Sequence, residues 1–95
     1  MKKKINCYSP IEKQIETGTT FYQFEYKQMY IDTYNKLSYD ILSYSTKVME
    51  YLPLQNVLYV TKKKYSRTTS KQQTQFINFI KRFDNNLRVE YTDKF

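Results

Sequence analysis

The residues with the clearest potential for chemistry lie in one short run, KKKYSRTTSK, at residues 62–71. The run holds five Lys or Arg side chains and, besides its tyrosine, four Ser or Thr hydroxyls, and it holds no acid. Phosphate groups are typically bound by Arg, Lys, Ser, Thr and Tyr side chains and by the N-termini of helices. The run therefore predicts a site for phosphate groups or other anions.

The predicted phosphate site includes the start and the polar face of a C-terminal helix. We expect that helix over about residues 70–83, so its unpaired N–H groups and its dipole would lie beside the cationic side chains. Tyr65 is placed where it could stack on a nucleic-acid base. The candidate phosphate- or nucleic-acid-binding residues are Lys62, Lys63, Lys64, Tyr65, Arg67, Thr68, Thr69, Ser70, Lys71, Lys81 and Arg82.

A purely structural interpretation of the same run stays open. Thr68, Thr69 and Ser70 are residue types that cap the first turn of a helix. The lysines at 62–64 are typical of an exposed strand end, where charge opposes pairing with another chain. Both interpretations are compatible with the residues of the run.

The net charge of +7 is concentrated in one third of the chain. Residues 51–83 hold seven Lys or Arg and no acid, whereas residues 1–50 hold seven Lys and six acids. Residues 84–95 hold two bases and three acids. A local excess of this kind creates a field that attracts phosphates or acidic surfaces, so we expect a phosphate-rich partner such as nucleic acid.

Catalysis and metal binding are poorly supported by the residue types present. The chain has no histidine, which is the commonest general base and the commonest metal ligand. Its single cysteine, Cys7, has no histidine to activate it, and its single glycine, Gly18, excludes Gly-rich phosphate loops. The nine Asp and Glu residues show no spacing that demands a shared site. We expect a protein that is not an enzyme and carries no metal or cofactor.

A length of 95 residues suits one small domain, residues 1–95, with one modest core. The N-terminal MKKKINCYSP has the basic start of a signal peptide but lacks the apolar run that should follow it. A lone cysteine suits a reducing compartment. These features predict a cytoplasmic protein with no membrane partner.

The chain is rich in aromatic residues, with eleven tyrosines and six phenylalanines and no tryptophan. A tyrosine hydroxyl needs water or a hydrogen-bond partner. Tyrosines therefore lie half-buried along a sheet, or several of them line an exposed face. An exposed tyrosine face would serve a homo-oligomer contact or grip another molecule.

The second half of the chain gives the clearest secondary-structure signals. A stripe of Phe and Ile at helical spacing predicts an amphipathic helix over about residues 70–83, with Ser70 and Gln73 as a capping box. Two β-rich runs around a Pro-containing turn predict a hairpin over about residues 43–65, and residues 87–91 could form a last strand.

The first 42 residues admit more than one interpretation. Residues 2–8 fit a short strand, and residues 9–18 fit either a short helix with a Ser9–Glu12 capping box or a hairpin arm that turns at Gly18. Residues 21–42 combine a helical stripe with a strand-like alternation at Tyr22, Phe24 and Tyr26, and length favours a helix over about residues 24–38.

The predicted fold class is α+β. It consists of a small antiparallel sheet, made of the 43–65 hairpin and one or two further strands, packed against the 70–83 helix. If the 24–38 helix forms, it packs on the same sheet.

Three segments of the second half carry a family resemblance: SYST at residues 43–46, LYV at 58–60 and KYSRTTSKQQTQF at 64–76. They resemble a family of small uncharacterised proteins from tailed phages of low-GC Gram-positive hosts, over about residues 43–83. Such proteins often have Pro after SYST and His after TTSK, where this chain has Lys47 and Gln72. The resemblance implies a phage-encoded protein that works in the bacterial cytoplasm, with no settled activity to carry over.

Two function hypotheses of different classes follow. The first is a non-enzymatic accessory or anti-defence protein that binds a phosphate-rich ligand through the basic run, either nucleic acid or a host defence complex containing it. The alternative is an anti-CRISPR-like protein–protein inhibitor of a host defence enzyme, docking through exposed tyrosines. A narrower alternative is a sponge for a nucleotide second messenger.

Overall fold

Seven strands form one mixed sheet, and a long helix packs across one of its faces. The computed structural model describes residues 3–95. In chain order the elements are β1 (Lys3–Ile5), α1 (Ile11–Gln14), β2 (Phe21–Phe24), β3 (Met29–Asp32), β4 (Tyr39–Ser43), β5 (Thr46–Leu52), a 3₁₀ turn (Pro53–Gln55), β6 (Val57–Thr61), α2 (Arg67–Phe83) and β7 (Arg88–Thr92).

The strands lie in the sheet in the same order as in the chain, from β1 to β7. β2 to β6 form an antiparallel meander, whereas the two outer pairs, β1 with β2 and β6 with β7, are parallel. A parallel pair needs a crossover connection, which a helix usually supplies. Here α1 lies in the first crossover and α2 in the last, so α2 begins where β6 ends.

The core lies between α2 and one face of the sheet. Phe76 and Phe79 of α2 are buried and contact the ring of Phe24 on β2, with centroids 5.7 and 5.2 Å apart. On the same face Tyr39 and Tyr51 stack with ring centroids 6.0 Å apart. The other buried members of this cluster are Ile5, Ile11, Ile15, Tyr22, Met29, Ile31, Ile41, Val48, Met49, Leu58, Val60 and Ile80.

The opposite face of the sheet carries a row of acidic side chains, which we call the acidic row. Asp32 pairs with Asp40 and Asp40 with Glu50, and the row continues to Glu90 on β7. Directly paired residues project from the same face. Lys47 separates two of these acids, with its Nζ 3.1 Å from Asp40 Oδ1 and 3.2 Å from Glu50 Oε1. Burial lowers the pKa of Lys47, but the hydrogen bonds to these two carboxylates outweigh it and raise the pKa.

The predicted helix over residues 24–38 is wrong. On β2, Tyr22 and Phe24 are buried and Gln23 between them is half-buried. On β3, Met29 and Ile31 are buried and Tyr30 between them is half-buried. This alternation has the period of a strand. The hairpin turning at Gly18 is also wrong, because β1 and β2 are parallel and α1 lies between them. Strand alternation therefore decides the structure of the first half of the chain.

The remaining secondary-structure predictions are confirmed with changes. The 70–83 helix exists and begins earlier, at Arg67, and the predicted hairpin is the antiparallel pair β5 and β6. The short helix is α1, but its N-cap is Pro10 and no side chain caps it, so the predicted capping box is absent from this end. The small antiparallel sheet is wrong in size and type, because the sheet has seven strands and two parallel pairs.

Candidate anion-binding site

A cleft of about 380 Å³ opens where β6 and β7 end and α2 begins. Five of the predicted residues line it: Lys62, Lys63, Lys64, Tyr65 and Ser70. No acid is among the described residues that line it. Open sheets with parallel strands commonly bind ligands in this position, outside the carboxyl ends of the strands. We call this concavity the basic cleft.

The start of α2 adds backbone donors next to the basic cleft. Ser66 is the N-cap, and its Oγ accepts a hydrogen bond from the Thr69 amide at 3.2 Å. The cap is therefore Ser66 and not the predicted Ser70. The amides of Arg67 and Thr68 have no acceptor within the helix, and the first turn contains no acid. The helix dipole therefore adds partial positive charge at this point.

A second, shallower depression adjoins the basic cleft at the same helix end. It is lined by Lys64, Tyr65, Ser66, Arg67, Ser70 and Lys71. Lys64, Tyr65 and Ser70 line both concavities. The structure therefore brings seven predicted residues to one surface: Lys62, Lys63, Lys64, Tyr65, Arg67, Ser70 and Lys71.

Gln73 and Tyr91 line the basic cleft but were not predicted. The Nε2 atom of Gln73 is shielded from solvent and has no hydrogen-bond partner among residues 3–95. A buried donor without a partner lowers stability. The spacing of three residues from Ser70 is the signal that could have placed Gln73 on the same helix face. Tyr91 comes from β7 and had no such signal.

Thr69 is a predicted site residue that faces the protein interior. It is buried, and its Oγ1 lies 3.1 Å from Ser43 Oγ and 3.3 Å from Ser66 Oγ. The Ser43 hydroxyl also donates to Gln72 Oε1 at 2.5 Å. Thr69 therefore joins α2 to β4, and its hydroxyl is not available to an external ligand. The contact joins the segment SYST at residues 43–46 to the segment YSRTTSK at residues 65–71.

Besides Thr69, three predicted site residues lie outside both concavities: Thr68, Lys81 and Arg82. Lys81 lies fourteen residues after Arg67, which at 1.5 Å per residue places it about 20 Å along the helix. The Nη1 atom of Arg82 donates to the Cys7 carbonyl at 2.7 Å, so this side chain is held at the other end of α2. The two concavities therefore include only those predicted residues that lie near the start of α2.

Cys7 lies at this far end of α2 and not near the basic cleft. Burial and a hydrogen bond with Glu25 raise the pKa of its thiol to about 11. The thiol is therefore protonated near neutral pH, where a thiolate would be needed for nucleophilic chemistry. Within the described part of the chain, no three His, Cys, Asp or Glu side chains gather in a way that could hold a metal ion.

Comparisons with known proteins give no family for this chain. No protein-family model, curated protein or solved structure matches it significantly. Of the helices in residues 3–95, none is both long enough and apolar enough to span a membrane.

Proposed function

We propose that this protein is a non-enzymatic binder of phosphate-rich ligands, and that nucleic acid, free or within a host complex, is its ligand. The observation that carries the proposal is the basic cleft with its adjoining depression, where cations and hydroxyls converge without an acid beside the unpaired amides of the first turn of α2. The resemblance of residues 43–83 to small phage proteins supports a role as an accessory or anti-defence factor in the bacterial cytoplasm.

In the proposed complex the lysines at 62–64 and Arg67 contact phosphates along the backbone of the nucleic acid. All four side chains are exposed, so their charges can reach a ligand without any change in the fold. One phosphate lies at the N-terminus of α2, where the Arg67 and Thr68 amides point outward. Tyr65 is 46% exposed at the edge of the cleft and stacks on a base.

The salt dependence of binding tests the phosphate contacts. We expect the affinity for a labelled oligonucleotide to fall steeply with salt, since bound cations release counterions. The double variant Lys63→Glu, Arg67→Glu loses two phosphate contacts. The negative slope of log K against log salt should therefore become shallower by about 1.5. Fluorescence anisotropy across a salt series, with single- and double-stranded probes, gives both quantities.

A matched control separates the local effect from net charge. Lys13 and Lys36 are exposed and lie in α1 and in the β3–β4 turn, away from the basic cleft. The double substitution Lys13→Glu, Lys36→Glu changes the net charge by the same amount. Equal slopes for the two double variants would refute the proposed site.

Stacking by Tyr65 is tested separately. Tyr65→Ala should weaken binding by about 1–3 kcal/mol with an unchanged salt slope, because stacking involves no phosphate. Tyr34 is 90% exposed in the β3–β4 turn, so Tyr34→Ala is the matched control and should bind like the parent protein. An unchanged affinity for Tyr65→Ala would remove stacking from the proposal.

A protein partner is the second candidate function, and the exposed tyrosines favour it. Tyr8, Tyr34, Tyr44 and Tyr91 are 84%, 90%, 59% and 63% exposed. Aromatic side chains often anchor protein interfaces. A partner recovered from host lysate after nuclease treatment would favour this candidate, and loss of the partner on treatment would favour nucleic acid. Mass spectrometry of co-purified small molecules would reveal a bound nucleotide, the narrower alternative.

A further inference from the structure

The two edges of the sheet differ in their protection against pairing with another chain. β1 is only three residues long and carries Lys3 and Lys4, which are features that oppose edge-to-edge association. β7 is five residues long, RVEYT, with neither proline nor lysine, and its pairing with β6 is regular from end to end. Among residues 3–95, no strand pairs with the outer side of β7. β7 is therefore the unprotected edge.

Backbone groups on the outer side of β7 are available for a new strand. The Arg88 amide donates to Asn56 O and the Thr92 carbonyl accepts from the Lys62 amide, both at 2.8 Å. Arg88, Glu90 and Thr92 therefore direct their backbone groups toward β6, and the residues between them direct theirs outward. The outward groups belong to Val89 and Tyr91, and the Leu87 carbonyl also points outward because the Arg88 amide on the same peptide bond points toward β6.

Side chains of β7 alternate between two chemically distinct faces. Arg88 and Glu90 project from the face with the acidic row and lie 3.6 Å apart between Arg88 Nη1 and Glu90 Oε1. Val89 projects from the other face and packs partly on the core, as does Leu87 just before the strand. Tyr91 lies on the face of Val89 and is 63% exposed.

We infer that two copies of this chain dimerise by antiparallel pairing of β7 with β7, with Val89 opposite Val89 at the two-fold axis. In this register the Val89 and Tyr91 amides of each copy donate to outward carbonyls of the other copy. Arg88 lies opposite Glu90 of the other copy, and Glu90 opposite Arg88, so both cross-strand pairs are attractive. On the other face Val89 meets Val89 and Tyr91 meets Leu87.

The alternative hydrogen-bonded register, shifted by one residue on each strand, is less favourable. It places Glu90 opposite Glu90, and like charges directly opposite are destabilising. It also pairs Arg88 with Thr92 and so removes both ion pairs. A register centred on Tyr91 pairs Glu90 with Thr92 and also lacks both ion pairs, so self-complementarity of charge favours the register centred on Val89.

The dimer has a defined geometry relative to the basic cleft. A two-fold axis perpendicular to the sheet joins the two sheets into one and keeps both α2 helices on the same face. Since the two β7 strands run in opposite directions, the two basic clefts lie at opposite ends of that face. The contact involves one short strand from each copy, so we expect it to dissociate on dilution.

Charge reversal tests the dimer by sedimentation velocity over a dilution series, without any ligand. The parent protein should show a concentration-dependent dimer. Arg88→Glu and Glu90→Arg should each be monomeric at the same concentrations, because each places like charges opposite each other. An equimolar mixture of the two variants should dimerise again, since every cross-strand pair is then attractive. A monomeric parent protein, or variants that still dimerise alone, would overturn the inference.

Disulfide trapping tests the register in a Cys7→Ser background, which removes the only other cysteine. Val89→Cys should form a cross-linked dimer on mild oxidation, because hydrogen-bonded partners have Cα atoms about 5.5 Å apart, within disulfide range. Glu90→Cys should stay uncross-linked, since the two positions would be about 8 Å apart. Cross-linking through position 90 and not through position 89 would contradict the register.

Discussion

Two buried tyrosines, Tyr39 and Tyr51, stack on each other but differ in the surroundings of their hydroxyl groups. The Tyr51 hydroxyl donates to Asp84 Oδ2 at 3.0 Å, and this bond ties β5 to the end of α2. The Tyr39 hydroxyl is buried and has no partner within residues 3–95. A buried hydroxyl without a partner destabilises a fold, whereas a hydrogen bond to a carboxylate stabilises it.

Removal of each hydroxyl should therefore change stability in opposite directions. Tyr39→Phe should raise the free energy of unfolding by about 1 kcal/mol, because it deletes an unsatisfied polar group. Tyr51→Phe should lower it by about 1–2 kcal/mol, because it leaves Asp84 with one partner fewer. Urea unfolding of both variants measures the difference, and effects of the same sign would contradict this account.

Alkaline pH should unfold the protein through the same two tyrosines. Burial, and then the nearby Glu12 carboxylate, raises the pKa of Tyr39 to about 12, and burial and Asp84 raise the pKa of Tyr51. Below the unfolded pKa of about 10 both states keep these protons and stability does not change, but as pH rises from there toward the folded pKa the unfolded chain releases its protons first and stability is lost. Stability should fall between about pH 10 and 12, by about 1.4 kcal/mol per pH unit for each tyrosine. Chemical unfolding at stepped pH checks this, and Tyr39→Phe should reduce the slope.

At the scale of elements, the turns explain why the hairpins of the first half could not be predicted. Lys27, Lys36 and Tyr44 have φ values of 58°, 62° and 58° in the turns after β2, β3 and β4. Left-handed turn positions usually hold Gly or Asn, which mark a hairpin in a sequence. Without those markers, the helical stripe and the length of residues 21–42 favour a helix over the strand-like alternation at Tyr22, Phe24 and Tyr26.

The β4–β5 turn offers a direct test of this backbone strain. Tyr44→Gly should raise the free energy of unfolding by about 0.5–1 kcal/mol, because glycine adopts a positive φ without the clash of a Cβ. Ser45→Gly is the control at the adjacent turn position, which has no positive φ, and it should lower stability slightly. Thermal unfolding of the pair gives the comparison, and equal effects would argue against strain at Tyr44.

The polar contact between β4 and α2 is made by the buried hydroxyl of Ser43. Ser43→Ala removes the donor to Gln72 Oε1 and a neighbour of Thr69. The Nε2 atom of Gln72 has no hydrogen-bond partner within residues 3–95. The variant therefore leaves the side-chain amide of Gln72 without any hydrogen bond. We expect a loss of about 1–3 kcal/mol in unfolding free energy. Ser45→Ala, an exposed control, should stay within about 0.5 kcal/mol.

The sequence predicts the part of the candidate site that is formed by one continuous run of residues. The apolar stripe of α2 and the charges at 62–71 are local signals, and both predicted the position of the basic cleft. Thr69 and Tyr91 were not predictable in the same way, because their roles depend on Ser43 and on the pairing of β7 with β6. Long-range contacts of this kind leave no periodicity in the sequence.

At the scale of the whole molecule, charge is divided between two sides. The basic cleft lies at the start of α2, whereas Asp32, Asp40, Glu50 and Glu90 lie on the sheet face opposite the helix. The register places Asp40 level with Tyr59, two strand spacings or about 10 Å away, and Lys62 lies about 10 Å further along β6, so the backbones of Asp40 and Lys62 are about 14 Å apart. This exceeds the Debye length of about 8 Å at physiological salt but not that of about 30 Å at 0.01 M.

The acidic row should therefore weaken nucleic-acid binding only at low salt. Asp32→Asn, Asp40→Asn should raise the affinity for an oligonucleotide at about 0.01 M salt and leave it unchanged at about 0.15 M. Anisotropy titrations at the two concentrations measure this effect. A gain in affinity that persists at about 0.15 M salt would contradict this prediction. It would mean that the bound oligonucleotide lies closer to the acidic row than a ligand in the basic cleft does.

The position of α2 after six of the seven strands has a consequence for synthesis on the ribosome. Until α2 and Asp84 after it have emerged, the ring of Phe24 lacks its contacts with Phe76 and Phe79, and the Tyr51 hydroxyl lacks its acceptor. A nascent chain that ends before residue 67 would thus expose an aggregation-prone hydrophobic surface, which binds chaperones or other nascent chains. Productive folding must wait for the last third of the polypeptide, even though the antiparallel meander consists of sequence neighbours.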